Sequence, residues 1–90
     1  GRIEYMSSDG SARLGIWRCT EGVFDCNELG DELQTILQGH LILTLGEEAP
    51  IECVPGDSVF TLKGQRVRWD IRETVIKLFH TSNMDVIDRD

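Results

Sequence analysis

The residue types that most often perform catalysis are scarce in this chain. Its two histidines are His40, which follows a glycine, and His80, which ends an apolar segment. His40 alternates with leucines, so we expect it on the solvent-facing side of its segment, and we expect His80 at the surface or at an interface. The sequence has no Gly-x-Ser-x-Gly elbow, no phosphate-binding glycine loop and no dinucleotide fingerprint. Covalent serine catalysis and nucleotide hydrolysis therefore lack support.

The three cysteines do not predict a disulfide framework or a thiolate zinc site. Cys19, Cys26 and Cys53 are odd in number and form no C-x-x-C pair, so we expect reduced, mostly buried thiols. Cys26 has no histidine close to it in sequence that would activate it as a nucleophile. The first residues also lack the continuous apolar stretch of a signal peptide. These features predict a cytoplasmic protein.

The charge of the chain argues against two classes of partner. Asp and Glu outnumber Lys and Arg by 16 to 9, which gives a net charge of −7. A field of this sign repels nucleic acid and anionic lipid, and no apolar run reaches the roughly 20 residues of a membrane-spanning helix. We therefore expect neither nucleic acid nor a membrane as a partner.

A local basic cluster departs from this acidic balance. The cluster consists of Lys63, Arg66, Arg68 and Arg72. Two interpretations are open: a solvated strand face paired with carboxylates on neighbouring strands, or a patch that recognises an anion.

The elements that must position these residues are predicted to be strands. No window has the i, i+3, i+4, i+7 apolar spacing of a stable helix, whereas short apolar segments recur at roughly eight to twelve residues between glycines. The pattern predicts one all-β domain over residues 1–90, with a core at about 12–80 and an acidic surface tail at 83–90.

The clearest strands alternate apolar and polar side chains. In residues 66–72 the apolar positions include Trp69, which we expect to point inward. A second strand after Gly39 directs the leucines of residues 41–45 into the core, and we expect a tight hairpin at 38–40 to join it to residues 32–38. Residues 75–80 are apolar on both faces except for Lys77, which predicts a strand covered by the core and by a partner subunit. Weaker strand signals lie at 11–20, 23–26, 50–54 and 58–62.

Two groups of residues resemble the sequence motifs of the cupin family. The first group spans 22–28, 31–33 and 36–39, with the six residues between Glu32 and Gly39 that the motif requires, and the second group opens with Pro55-Gly56-Asp57. The flanking segments 16–20 and 73–77 resemble small single-domain cupins similar to the ethanolamine-utilisation and ureidoglycine aminohydrolase types. The resemblance implies a cupin-type antiparallel jelly-roll barrel with little or no helix.

The resemblance also identifies the positions at which many cupins bind a metal. There, three histidines and a glutamate face the barrel interior, and the matching positions here are Cys26, Glu28, Glu32 and Val67, so only the glutamate is retained. Because valine offers no donor atom, the resemblance implies a barrel without a metal cofactor. The alternative is a divalent ion such as zinc held by Cys26, Glu28 and Glu32, whose thiolate and carboxylates are admissible ligands.

The resemblance implies that a ligand would bind inside the barrel, and the candidate lining is Trp17, Glu32, Trp69 and Lys77. An aromatic wall with a few polar groups is the usual composition of a small-ligand pocket, although tryptophans also fill cores. Glu32 is the candidate catalytic residue, because a carboxyl buried without a cation is favoured in its protonated form and can act as a general acid or base. Lys77 is expected either to neutralise Glu32 or to pair with Glu73, which shares its parity along the strand.

Three functions remain open on these residues. The first is a domain that binds a small polar organic molecule inside the barrel. The second is a metal-dependent or Glu32-dependent enzyme that resembles the aminohydrolase cupins, and the third is a structural dimerisation module. A homodimer is expected in each case, because small cupins typically pair and four residues offer more apolar surface than one small core covers. These residues are Val75, Ile76, Leu78 and Phe79.

Overall fold

Strands account for all of the regular secondary structure that is described. The computed structural model describes residues 2–85, and within them it contains seven strands and no helix that could cross a membrane. The strands are β1 (Arg2–Met6), β2 (Arg13–Cys19), β3 (Gly22–Asn27), β4 (Asp31–Leu45), β5 (Ile51–Cys53), β6 (Ser58–Thr61) and β7 (Arg66–Ser82).

The framework of the fold is a long antiparallel ribbon made by β4 and β7. These strands pair from Leu45 opposite Val67 to Asp31 opposite Ser82. At one end of the ribbon, β3 adds to β7 and β5 adds to β4. At the other end, β2 adds to β7, β1 adds to the outer edge of β2, and β6 adds to β4. Each long strand thus belongs to both ends, and the predicted antiparallel jelly-roll barrel is confirmed.

The ribbon bends at Gly39, where the pairing register shifts between Ile36 and Leu41. Gly39 has a φ of 97°, and a Cβ atom at this position would collide with the carbonyl oxygen of Thr74. The predicted hairpin at 38–40 is therefore wrong. β4 does not reverse here, because β7 pairs with it on both sides of Gly39. The glycine instead forms a bulge at which the continuous strand bends. Residues 66–72 and 75–80, which were predicted as separate strands, are likewise one strand, β7.

Most of the apolar core lies at the β3–β5 end of the barrel. Trp69 points inward as predicted and is 3% exposed, and the leucines at 41, 43 and 45 are buried beside it. These side chains pack with Val67 and Ile71 in one cluster. Burial of a large apolar side chain stabilises the fold by roughly 1.5–3 kcal/mol. The β3–β5 end of the ribbon therefore supplies most of the apolar packing, and the β1–β2 end, which packs against it, can accept polar residues.

The outward face of β7 is less apolar than the sequence predicted. Val75 and Phe79 are buried inside the barrel, and of the four residues expected to form a partner surface only Ile76 and Leu78 face outward. The predicted acidic tail at 83–90 is described only as far as Asp85, and the remainder of it lies outside the described residues.

Candidate functional site

The β1–β2 end of the barrel has a polar interior. Five polar side chains are buried there, namely Glu32, Gln34, Thr61, Lys77 and Thr81. The cause is strand parity: in β4 the positions 32 and 34 share the inner face with Ile36, and in β7 the positions 77 and 81 share it with Val75. Burial of polar groups is tolerated when they bond to one another.

Glu32 and Lys77 form a buried ion pair at the centre of this interior. The Lys77 Nζ donates hydrogen bonds to Glu32 Oε2 at 3.2 Å and to Gln34 Oε1 at 2.7 Å. The second oxygen of the Glu32 carboxylate accepts a hydrogen bond of 2.9 Å from the Thr81 hydroxyl. Both oxygens of the carboxylate are thereby engaged. Lys77 thus neutralises Glu32, which was one of the two expectations for it.

Aromatic rings cover the ammonium group. The Lys77 Nζ lies 4.1 Å from the centroid of the Trp69 ring and 4.7 Å from that of Trp17, within the range of cation–π attraction. The two tryptophan rings are 5.7 Å apart, and the Phe24 ring lies 6.1 Å from Trp69 and nearly parallel to it, at 8°. The three rings form a continuous aromatic wall beside the ion pair.

This wall and the ion pair line a pocket of about 280 Å³. All four residues predicted to bind a ligand contribute to it: Trp17, Glu32, Trp69 and Lys77. Its mouth lies at the exposed end of β3, where Phe24, Asn27 and Leu29 line it. The volume suits a small metabolite, since pockets for drug-sized ligands begin at roughly 300 Å³.

The pocket disfavours the charged forms of Lys77, Glu28 and Cys26. Burial lowers the pKa of Lys77, against the opposing influence of the Glu32 carboxylate. Burial also raises the pKa of Glu28, and the negative charge of Glu32 raises it further. Burial raises the pKa of the Cys26 thiol as well. The thiol is thus kept protonated, and Cys26 does not have the lowered pKa of a nucleophilic cysteine.

Within residues 2–85 the side-chain amide nitrogen of Gln34 is one of several buried polar atoms without a hydrogen-bond partner, together with the Thr61 hydroxyl and the Trp69 indole nitrogen. The Gln34 side chain is fully buried, and its Oε1 accepts from Lys77, but its Nε2 has no hydrogen-bond acceptor in this part of the chain. An unsatisfied buried donor costs about 1–3 kcal/mol. Gln34 therefore supplies hydrogen-bonding capacity beyond what the fold itself consumes.

The four positions that correspond to cupin metal ligands do not fit a divalent ion. Val67 is fully buried in the apolar core, and the Cys26 Sγ donates to Glu28 Oε1 at 3.7 Å. The Lys77 ammonium already occupies the cationic position beside Glu32 and would repel a metal ion there. Across residues 2–85 no group of three potential ligand side chains has a metal-binding arrangement.

The predicted alternative partner of Lys77 is wrong. Glu73 shares its parity, but the ribbon bends between the two residues, so Glu73 is exposed and Lys77 is buried. In the described part of the chain Lys77 forms its ion pair with Glu32.

Neither histidine lines the pocket. The His40 Nε2 lies 3.0 Å from Glu52 Oε1 in a partly exposed pair, and His80 is exposed on the outer face of β7. The surface position expected for His80 is confirmed, and His40 lies on the opposite face from the buried leucines, as expected.

The basic cluster is paired with carboxylates, and for Arg66 and Arg68 the carboxylate lies on a neighbouring strand, as the first of the two interpretations predicted. Arg66 and Arg68 both contact Asp25 on β3, at 3.3 and 3.0 Å. Within the same cluster, Arg72 pairs with Asp70 and Lys63 with Asp85. Exposed pairs of this kind contribute little to stability.

Sequence reasoning missed several residues of the site. Phe24 precedes Cys26 by two residues, so strand parity alone could have placed it in the interior. The same parity places Gln34 with Glu32 and Thr81 with Lys77. Arg13 also lines the pocket, with its guanidinium 5.9 Å from the Phe79 ring centroid. No motif in the sequence pointed to Arg13.

The fold and its half-open interior pocket are those of a jelly-roll barrel domain. A model of the EutQ-like cupin domain matches residues 6–79, and the chain belongs to this family. Comparison with curated proteins returns no match.

Solved structures agree with this assignment. The chain is similar to a putative ethanolamine utilization protein Q from Salmonella typhimurium, with a TM-score of 0.79, 20% identity and coverage of 94% of this chain and 70% of that one. It is also similar to the EutQ protein of Clostridium difficile, with a TM-score of 0.76, 17% identity and coverage of 93% and 62%. A DUF861 family protein from Thermotoga maritima has a TM-score of 0.67 and 31% identity over 71% of this chain and 73% of that one.

Proposed function

We propose that the barrel binds a small polar organic molecule in the pocket beside Lys77. The observation that supports this most is the coincidence of an open pocket with the aromatic wall and the buried ion pair. A flat or partly apolar portion of the ligand packs on Trp17 and Phe24. Its polar portion reaches the ammonium, the Glu28 carboxyl and the unused Gln34 donor. No metal takes part in this proposal, because the site's cation is the lysine.

A screen of small metabolites by thermal denaturation tests the proposal. We expect a subset of carboxylates, carbonyl compounds or amides to raise the unfolding midpoint, because they bind only the folded state. Trp17→Leu removes part of the wall and is expected to weaken each hit at least tenfold. Val23→Ser changes an exposed residue of β3 that does not line the pocket, and as the control it should leave the hits unchanged. Equal binding by both variants, or no hit in the screen, would refute the proposal.

We also propose that the chain forms a homodimer through the outer face of the β1–β2 end. Five exposed residues form one row across five strands, each opposite the next in register: Tyr5, Leu14, His80, Leu33 and Phe60. Ile16 and Leu78, which are opposite each other, extend the same face. The face has few charges although the chain carries −7, and depletion of charge is typical of the centre of an interface.

The pattern of this row supports a second copy as the partner. The order of residue types is the same from either end of the row: aromatic, leucine, histidine, leucine, aromatic. A two-fold axis parallel to β7 therefore places Leu14 against the partner's Leu33 and Tyr5 against the partner's Phe60. Such self-complementarity is the requirement of a two-fold interface. Five strands at about 4.8 Å and six residues at about 3.3 Å give a footprint of about 480 Å² per copy. Two copies approach the roughly 1,000 Å² of a specific interface.

Light scattering after size-exclusion chromatography tests this interface. The unmodified protein is expected to have the mass of a dimer at micromolar concentration. Leu33→Glu places charge at the centre of the face and is expected to give a monomer. Val23→Glu changes an apolar residue on β3 that is more exposed than Leu33 and lies outside the face, and it should leave the dimer intact. A monomeric unmodified protein, or a dimer in the Leu33→Glu variant, would contradict the proposal.

We further propose a cytoplasmic location. The three cysteines are all free, and Cys53 is buried in the core. Free thiols of this kind fit a reducing compartment. Fractionation of cells with an antibody to the chain would test this, and recovery from a membrane or secreted fraction would refute it.

A further inference from the structure

Lys77 is one of only two lysines in the chain, and their surroundings differ sharply. Lys63 is exposed, and its ammonium pairs with Asp85. Lys77 is 5% exposed, yet it lines a pocket that opens to solvent. A lysine at the floor of an open pocket is a nitrogen that a small molecule can reach and that bulk water largely cannot.

We propose that Lys77 forms a reversible imine with a small aldehyde or ketone bound in the pocket. This inference rests on the proposed binding function and names the class of ligand. It is based on the contact between the Lys77 Nζ and the Glu32 carboxylate, on the surrounding aromatic wall, and on the size of the pocket.

The contact with Glu32 provides a route to the neutral amine. The Nζ lies 3.2 Å from Glu32 Oε2, so one proton transfer along this hydrogen bond converts two buried charges into an amine and a carboxylic acid. The desolvation that lowers the pKa of Lys77 favours the amine. The amine form is the nucleophile in imine chemistry.

The neighbouring groups orient the nitrogen and the carbonyl compound. Gln34 Oε1 accepts a hydrogen bond of 2.7 Å from Nζ and holds the amine in one direction. The rings of Trp17 and Trp69 lie within 5 Å of the nitrogen and exclude water from it. A pocket of about 280 Å³ admits only a small carbonyl compound.

The chemical step balances with the residues present. The Lys77 nitrogen attacks the carbonyl carbon and a C–N bond forms, while the carbonyl oxygen takes the proton held by Glu32. The nitrogen returns one proton to Glu32, and a carbinolamine results. The hydroxyl then leaves as water with that proton, the nitrogen lone pair forms the C=N bond, and the last N–H proton returns to Glu32. The products are an imine and water, and no oxidant or reductant is needed.

The presence of a second lysine allows an internal comparison. The protein is incubated with propanal and cyanoborohydride at pH 6.5, which traps an imine as a stable amine, and peptide mass spectrometry then measures each lysine separately. We expect Lys77 to be modified at least tenfold faster than Lys63, although Lys63 is far more exposed. Modification of Lys63 at an equal or greater rate would overturn the inference.

The pH dependence of the modification rate provides a second test, which uses the unmodified protein. The rate at Lys77 is expected to reach its plateau at lower pH than the rate at Lys63, which serves as the solvent-exposed reference. Identical profiles would also overturn the inference. If metabolites bind in the thermal screen and Lys77 is not modified preferentially, the imine fails and the binding function stands. If neither is observed, both fail.

Discussion

At the residue scale, the central feature is the buried ion pair of Lys77 and Glu32. Their exposed fractions are 5% and 7%, and their closest atoms are 3.2 Å apart. Removal of one member of such a pair leaves an uncompensated charge in a medium of low dielectric constant. The pair is therefore the most sensitive point of the polar interior.

Lys77→Met is expected to lower the free energy of unfolding by about 3–5 kcal/mol, because Glu32 is then buried without a cation. The double variant Lys77→Met with Glu32→Leu removes both charges and should recover most of that loss. Urea denaturation at pH 7 measures both values. A loss below about 1 kcal/mol in the single variant would mean that the pair contributes no more than an exposed one.

The raised pKa of Glu28 determines the direction in which its contribution to stability changes with pH. Its pKa is raised in the folded state, so between the ordinary value of 4.5 and the folded value the native protein binds more protons than the unfolded chain. The contribution of Glu28 to stability is therefore present at low pH and is lost as pH rises through this window. Glu28→Gln should be more stable at pH 7 and should lose less stability from pH 5 to pH 8. A steeper fall in the variant, measured by urea denaturation, would contradict this account.

The sequence predicted much of the site at this scale, because parity along a strand is local information. Trp69 and the core leucines were placed correctly, and the pairing of Glu32 with Lys77 was one of the two alternatives predicted for Lys77. The pairing of Lys77 with Glu73 failed for a physical reason: parity holds only while a strand is straight, and β7 bends between these residues. Arg13 was missed because β2 is far from β7 in sequence, and only the pairing of these two strands brings Arg13 to the pocket.

At the scale of the elements, β4 and β7 determine where the pocket lies. Each strand passes from the apolar end of the barrel to the polar end, and the bend at Gly39 allows both ends to share one ribbon. The sequence predicted a turn at Gly39, since glycine and its neighbours are typical of hairpins. The structure shows that the chain does not reverse at Gly39, because β7 remains paired with β4 on both sides of it. The strand β1 was also missed, although residues 3 and 5 alternate with charged ones.

Gly39→Ala tests the role of the bend, and Gly56→Ala is a matched control. Their φ angles are 97° and 96°, but a Cβ at Gly39 meets the backbone of Thr74, whereas one at Gly56 meets nothing within 4 Å. The positive φ costs each variant about 1–2 kcal/mol. Gly39→Ala should lose clearly more, because β4 and β7 must also separate. Equal unfolding free energies for the two variants would show that the close approach at Gly39 is not required.

At the scale of the whole molecule, the exposed apolar row links stability to protein concentration. If the outer face is covered by a second copy, unfolding is coupled to dissociation, and the thermal midpoint rises as concentration rises. The Leu33→Glu variant should show no such dependence. Differential scanning calorimetry from about 10 to 500 μM measures both, with the range chosen to span typical affinities. A midpoint of the unmodified protein that is independent of concentration would argue against the dimer.

The account as a whole depends on a pocket that takes up a small molecule beside the ion pair. The two tryptophans of the chain, Trp17 and Trp69, both line that pocket, so tryptophan emission reports on it. Titration with the hits of the metabolite screen is therefore the most direct measurement. We predict a saturable change in tryptophan emission whose midpoint moves to higher ligand concentration in Lys77→Arg and not in Lys63→Arg. Thermal stabilisation without any change in emission, or identical titrations in both variants, would place the ligand elsewhere and contradict the central claim.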